Sequence, residues 1–232
     1  IGKSDIKSDK FDVLYFVNRD VQTVTIPPSV TKIESYAFSQ SLIENIVIPH
    51  HITQIFEKAF IWCKMLKNVE ISSESKIQTI EENVFADSSI ESLSIPSSIF
   101  ELKHGWCNGM PKIKKLTIIE NKVHNLSSFD NNLVLGKSDM KSDIFDILYF
   151  ANRNIKKVTI PPTIKRIESF AFCGSSIEKV CIPSHVTKIC EAAFCNCRKL
   201  RSVDIPSDSK LKEIENDVFG FSKIKSFFMS SN

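Results

Sequence analysis

The sequence predicts an α/β repeat solenoid. Each unit of about 23 residues is expected to carry one short parallel strand and one short helical turn, with hairpin-like interruptions between groups of units. Three observations lead there. The stretch VTIPPSVTKIESYAF, from Val24, returns as VTIPPTIKRIESFAF from Val158, 134 residues later. Inside that long period a shorter one is marked by Ile-Pro or its stand-in, at Ile26, Ile48, Ile71, Ile95, Ile118, Ile160, Ile182, Ile205 and Met229. The spacings are 22, 23, 24, 23, 42, 22, 23 and 24. Each unit then closes on I-x-x-x-A-F or a near relative of it.

The strand comes first in each unit. Around Ile43, Ile46 and Ile48 apolar positions alternate with Asn45 and Val47, the pattern of a short half-buried strand. The proline after it has no N–H to give to a ladder and so closes it. The second element is read from Ile33, Ala37 and Phe38, four and five residues apart, which a single helical turn would place on one face. The same trio recurs at Ile55, Ala59 and Phe60, at Ile80, Val84 and Phe85, at Ile167, Ala171 and Phe172, at Ile189, Ala193 and Phe194, and at Ile214, Val218 and Phe219. One unit cannot bury these groups alone, whereas a stack buries them between neighbours.

The units divide the chain. Residues 1–20 read as a hairpin-like strand segment, 21–118 as repeats, 119–154 as an irregular segment with a hairpin, and 155–232 as repeats, all expected to form one continuous solenoid. The hairpin expectation rests on IFDILYFANRNIKKVTI from Ile144, echoed as KFDVLYFVNRDVQTVTI from Lys10. It reads as a strand, a polar turn at Ala151 to Asn154, and a second strand. The unit between Ile95 and Ile118 departs from the rule, with Trp106 and Cys107 where Ala and Phe should stand. The chain opens on Ile1 and closes on Asn232 inside a repeat, and is expected to be a fragment of a longer protein. Membrane association would come only through segments outside it.

The segments IPPSVTKIESYAF, IPHHITQIFEKAF and IPSHVTKICEAAFCNC resemble the BspA-like leucine-rich repeats (type 5). The resemblance covers nearly all of residues 21 to 232. It implies a solenoid on a cell surface that adheres to host or matrix proteins, and it carries over no catalytic residue.

Composition narrows the function classes. Thirty Lys and Arg stand against 27 Asp and Glu, a net charge of +3, with no basic stripe interleaved with aromatics for nucleic acid. Only 6 Gly are present, too few to build a phosphate loop readily. No apolar run approaches the ~18 residues of a membrane span.

Chemistry is sparse. Cys63 and Cys197 hold one repeat position, three after Phe, and read as small buried side chains. Two other readings stand beside that one. Cys173, Cys181, Cys190, Cys195 and Cys197 with His185 crowd together as zinc ligands might, but no C-x-x-C pair exists. Alternatively Cys173 pairs with Cys195 or Cys197 in a disulfide between adjacent units. The odd total of seven leaves one thiol over and keeps a reducing compartment open. His51 and His185 are equivalent turn residues, and no Ser, Asp or second His repeats with them as a triad. Glu34 with Glu168, and Glu57 with Glu191, read as solvated faces. Asn125-Leu126-Ser127 is a glycosylation sequon. No enzyme, cofactor, metal or small-molecule substrate is expected.

A binding module is therefore the leading function, with a self-assembling or intracellular scaffold as the alternative. The outward strand stripe (Thr23, Thr25, Asn45, Val47, Asn68, Glu70, Ser92, Ser94, Lys115, Thr117, then Lys157, Thr159, Lys179, Cys181, Ser202, Asp204, Ser226 and Phe228) is mostly small and polar. Interfaces are anchored by Trp, Tyr and Arg, and the aromatic-rich alternatives are Tyr15 and Tyr149 at the hairpins and Trp62 with Trp106 on the helical side. The predicted hot spot is therefore the recurring hairpin set: Tyr15, Phe16 and Arg19, and its echo Tyr149, Phe150 and Arg153. The expected location is the cell surface or secretion, with a cytoplasmic place as the alternative.

Overall fold

The computed structural model describes residues 1–5 and 9–229. They form two compact units, Ile1–Leu126 and Ser127–Asn232. In the first unit the strands are β1 (Val13–Leu14), β2 (Lys32–Ile33), β3 (Asn45–Ile48), β4 (Gln54–Ile55), β5 (Asn68–Ile71), β6 (Thr79–Ile80), β7 (Ser92–Pro96), β8 (Glu101–Leu102) and β9 (Lys115–Ile119). A regular rung contributes two of them. The longer strand belongs to the sheet β3-β5-β7-β9, and the two-residue strand to β1-β2-β4 or β6-β8. Every pairing is parallel and in register; Ile46 stands against Val69, and Val69 against Leu93. The Ile-Pro corner turns the chain between the two strands, where the N–H of Ile52 donates to the Pro49 carbonyl.

The expected α/β class is corrected here: the fold is an all-β solenoid, and the described residues contain no helix. The I-x-x-x-A-F segments are tiers of tight turns. In the first, the N–H groups of Ala37, Ser39 and Ser41 donate three residues back, to Glu34, Tyr36 and Phe38, while those of Phe38 and Gln40 donate to Ala59 and Ile61 of the next rung. Two residues per tier take a left-handed backbone, four apart: Tyr36 and Gln40 at φ 61° and 60°, Lys58 and Trp62 at 56° and 59°, Asn83 and Asp87 at 53° and 55°. A helix cannot run through such positions. The four-residue spacing of apolar groups was real, but overlapping turns produce it as well as a helix does. The clue lay in Gly105, Gly109 and Gly174, and in Asn83, Asp87 and Asn196, residue types that tolerate positive φ.

Burial follows the repeat. Ile33, Ala37, Phe38, Ile43 and Ile48, and their equivalents one rung on, are sealed from solvent. Phe38, Phe60 and Phe85 stack in a column, with ring centroids 4.6 and 5.6 Å apart. Trp106 and Cys107 continue the next tier and are buried, so the irregular unit keeps the rung.

The second unit carries β10 (Leu126–Phe129), β11 (Leu133–Gly136), β12 (Ile147–Ala151), β13 (Arg166–Ile167), β14 (Lys179–Cys181), β15 (Lys188–Ile189), β16 (Ser202–Ile205), β17 (Glu213–Ile214) and β18 (Ser226–Met229). One sheet runs β10-β11-β12-β13-β15-β17 and the other β14-β16-β18. Its column is Phe172, Phe194 and Phe219, at 4.7 and 5.4 Å.

The hairpins here are not the one the sequence predicted. Ala151 ends β12, no strand follows at Val158–Ile160, and β12 instead pairs antiparallel with β11, which precedes it. With β11 on one edge and β13 on the other, β12 has no edge left for the second strand. Asp130 and Asn131, both with positive φ (52° and 54°), make the tight turn between β10 and β11, a geometry that Asp and Asn favour.

Candidate functional site

The strand stripe presents the side chains that its alternation requires. Asn45, Val47, Asn68 and Glu70 point to solvent while Ile46, Ile48, Val69 and Ile71 point inward. With Thr25, Ser92 and Ser94 the first four line a groove of about 610 Å³. The Asn68 Nδ2 donates to Asn45 Oδ1 at 2.6 Å, so the amides form a ladder along the groove. In the second unit Lys179 and Asp204 are paired at 2.6 Å, and Cys181 is exposed beside them. The Phe228 side chain lies outside the described ones.

The hairpin set splits. Tyr149 and Phe150 are 2% and 3% exposed, whereas Tyr15 and Phe16 are 51% and 59% exposed. The cause is the neighbouring strand. β12 lies between β11 and β13, with Val134 opposite Phe150. β1 has β2 on one side and on the other a single antiparallel bridge, Gly2 to Val13. The two copies otherwise share their chemistry. Ser4 N–H and Oγ–H donate to the Asp12 carboxylate, and Ser138 does the same to Asp146. Burial would lift the Asp146 pKa, but the Ser138 bonds and Lys165 outweigh it and hold the carboxyl below its usual range.

The arginines have structural work. Arg153 Nη1 donates to the Ala171 carbonyl at 2.8 Å, and the guanidinium lies 4.5 Å from the Phe150 ring centroid. Arg19 repeats this on the Ala37 carbonyl at 3.2 Å and on Phe16 at 4.5 Å. Each adds a second donor to the first turn tier of its unit, on a carbonyl that already accepts a backbone N–H, from Val17 at Ala37 and from Ala151 at Ala171. Arg153 is buried, which removes Tyr149, Phe150 and Arg153 from any solvent-facing patch and leaves Tyr15, Phe16 and Arg19 at the surface.

A patch outside the predicted hairpin hot spot lies on the turn tiers. Leu42, Trp62 and Met65, all exposed large apolar groups, line a cavity of about 540 Å³ with Gln40, Ser41 and Lys64. Trp62 is 44% exposed and sits at a left-handed backbone position. Its equivalents Gln40, Asp87, Gly109, Gly174 and Asn196 are small or polar, and only Phe221, in the second unit, is a further exposed aromatic among the described residues at this position. Trp62 was legible as an aromatic in the sequence. Its exposure was not, because a helical turn would have aimed it differently.

The cysteines resolve into classes. The thiols of Cys63 and Cys197 are buried and donate to the Phe38 and Phe172 carbonyls at 3.0 and 3.1 Å, with Ser41 and Ser175 alongside. Burial pushes both thiols up. Burial, with the carboxylates of Glu168 and Glu215, pushes Cys190 up to about 12. Cys173 and Cys195 are half-exposed. Among the described residues no three His, Cys, Asp or Glu side chains gather as a metal site would require. The Asn125 amide is committed to the fold: the residue is 6% exposed, and its Nδ2 donates to the Ser98 carbonyl at 2.9 Å.

Comparison with known proteins agrees with this architecture. No curated protein matches the chain. The pneumococcal vaccine antigen PcpA is similar in fold, with a TM-score of 0.65 at 20% identity over 85% of this chain and 60% of that one. A leucine-rich repeat protein from Eubacterium ventriosum gives 0.67 at 19% identity, over 81% and 48%. One from Bacteroides ovatus gives 0.50 at 14% identity, over 88% and 52%. The chain thus spans about half to three fifths of the length of these structures. The pattern of the BspA type leucine rich repeat region, in six copies, matches residues 10–135 and 127–232. With its rungs, Ile-Pro corners and phenylalanine columns, the chain belongs to the BspA-type leucine-rich-repeat family.

Proposed function

We propose that the chain is a non-enzymatic protein-binding and adhesion module of a cell-surface protein that engages host surface or matrix proteins. The observation that carries this reading is Trp62. A bulky aromatic is held half in solvent, on a backbone conformation its side chain disfavours, beside Leu42 and Met65. The left-handed backbone recurs in every tier, so it is the exposure of the ring that singles the residue out, and an exposed Trp with apolar neighbours is the usual anchor of an interface. Tyr15, Phe16 and Arg19 form a second exposed aromatic set within the same unit. Membership of the repeat family supports a module that works by contact rather than by chemistry.

Two measurements test it. An antibody against the chain should stain intact, unpermeabilised cells; staining only after permeabilisation would sink the surface reading. The chain should also bind at least one of a panel of immobilised extracellular-matrix proteins, with Trp62→Ala weakening that binding at least tenfold while its thermal transition stays put. An equal affinity in the variant would remove Trp62 as the anchor. A self-assembling scaffold is the second reading, favoured by exposed apolar groups on strand-edge segments: Tyr15 and Phe16, and Ile214 and Phe227. Sedimentation that grows with concentration would support it over adhesion.

A further inference from the structure

We infer that Cys173 and Cys195 are a redox pair that closes into a disulfide between two adjacent rungs. They hold one position of the rung, immediately after Phe172 and Phe194, whose rings stack at 4.7 Å. Their backbones are tied on both sides. Phe172 N–H donates to the Ala193 carbonyl at 2.7 Å, and Gly174 N–H to the Cys195 carbonyl at 2.9 Å. Neighbouring rungs tied by such bonds keep the spacing of paired strands, about 4.8 Å, inside the roughly 4.4–6.8 Å between Cα atoms that a disulfide spans. Equivalent side chains of stacked rungs leave the backbone in the same direction, and the Cys173 side chain acts on the Cys195 thiol, opposing the upward push of burial. Both are half-exposed. On the far side of Cys195 the next rung places Gly220, where an added Cβ would be in van der Waals contact with the Cys195 Sγ at 3.7 Å, so access to the thiols is from their exposed sides. The other nearby thiols are not competitors: Cys197 is buried and bonded to the Phe172 carbonyl, and Cys190 is buried.

The step balances with a small-molecule disulfide such as oxidised glutathione as the oxidant. One protein thiol loses its proton and attacks a sulfur of that disulfide, expelling one small thiolate. The second protein thiol, deprotonated in turn, attacks the protein sulfur of the mixed disulfide and expels the other. The protein loses two hydrogens, and two small thiols are formed. Because burial pushes the Cys195 thiol up, closure should quicken as pH rises above neutrality. The inference does not depend on adhesion. It gives the module a covalent tie against fraying between rungs in an oxidising compartment.

The test is to treat the reduced chain with oxidised glutathione at mildly alkaline pH and measure intact mass and tryptic peptides. The expected product is a monomer lighter by two hydrogens, with peptide Ile167–Lys179 joined to peptide Ile189–Arg198. The second peptide holds Cys190, Cys195 and Cys197, so variants assign the partner. Cys195→Ser and Cys173→Ser should each abolish the link, and Cys197→Ser should leave it. Serine is tolerated there, since Ser39 fills the same position in the first unit. Oxidised wild type should also melt several degrees higher than reduced, a shift absent from Cys173→Ser. A link to any other cysteine, persistent glutathione adducts without closure, or dimers through these thiols would overturn the inference.

Discussion

Ala192 has a Cβ on a backbone with φ of 53°, where the equivalent residue two tiers earlier is Gly105. A left-handed L-residue costs roughly 1–2 kcal/mol, and glycine recovers that less its greater unfolded-state freedom. Ala192→Gly is therefore expected to stabilise the chain by about 0.5–1 kcal/mol in urea denaturation. In an α-helix the same change would destabilise by a similar amount, so the sign reports on the turn-tier geometry. Phe60 sits at the centre of its column, fully buried between Phe38 and Phe85. Phe60→Ala should cost about 3–5 kcal/mol by the same measurement. Asp146 gives the residue scale a pH signature. Its folded pKa lies below the usual value, so its contribution is complete above the unfolded-state pKa and is lost as pH falls through the folded one. Asp146→Asn should lower stability at neutral pH and flatten its further loss below about pH 4.

Between rungs, position matters more than any one contact. Glu44, Lys67, Glu91 and Lys114 occupy one place on four successive rungs with alternating sign. Lys67 reaches Glu44 at 2.9 Å, and Lys114 reaches Glu91 at 2.6 Å. The hydrogen bond from Lys114 holds Glu91 below its usual range, and that to Glu44 lifts Lys67. Glu91→Lys would set three lysines in a row. It should lower the melting temperature at low salt, with recovery as added salt shortens the screening length to about 3 Å near 1 M. Unchanged melting at both salt levels would show that the ladder does no structural work. At this scale the strands were readable, because Asn45-Ile46-Val47-Ile48 alternates and Pro49 closes it. The turn tiers were not. Ile33, Ala37 and Phe38 satisfy helical spacing, and nothing in apolar periodicity reports the sign of φ at Tyr36. The hairpin partner was missed for a related reason: Tyr149 and Phe150 look like an exposed aromatic set until β11 is seen beside them. Trp62 was legible as an aromatic alternative but ranked behind the hairpin set, because exposure on a tight turn depends on that same backbone.

Over the whole chain, each unit is a stack in which a rung touches only its neighbours, and stability of such arrays is a sum over rungs and interfaces. Removing Pro49–Ile71, one full period, should leave a folded protein whose far-UV spectrum is strand-like and lacks the helical double minimum. Removing only residues 49–59 should not, since half a rung leaves Ile48 with no partner in register. A helical spectrum from the intact chain would contradict the all-β architecture itself.

The long period has a further consequence, at the level of the gene. Ile26 and Ile160 head equivalent stacks 134 residues apart, and both copies keep the serine–aspartate clamp, the turn-tier arginine and the buried serine–cysteine pair. Two coding segments that alike can misalign during replication or recombination. An unequal exchange between them adds or removes a whole stack in frame, with every rung still in register. Length variants among strains should therefore differ by about one long period rather than by scattered residues.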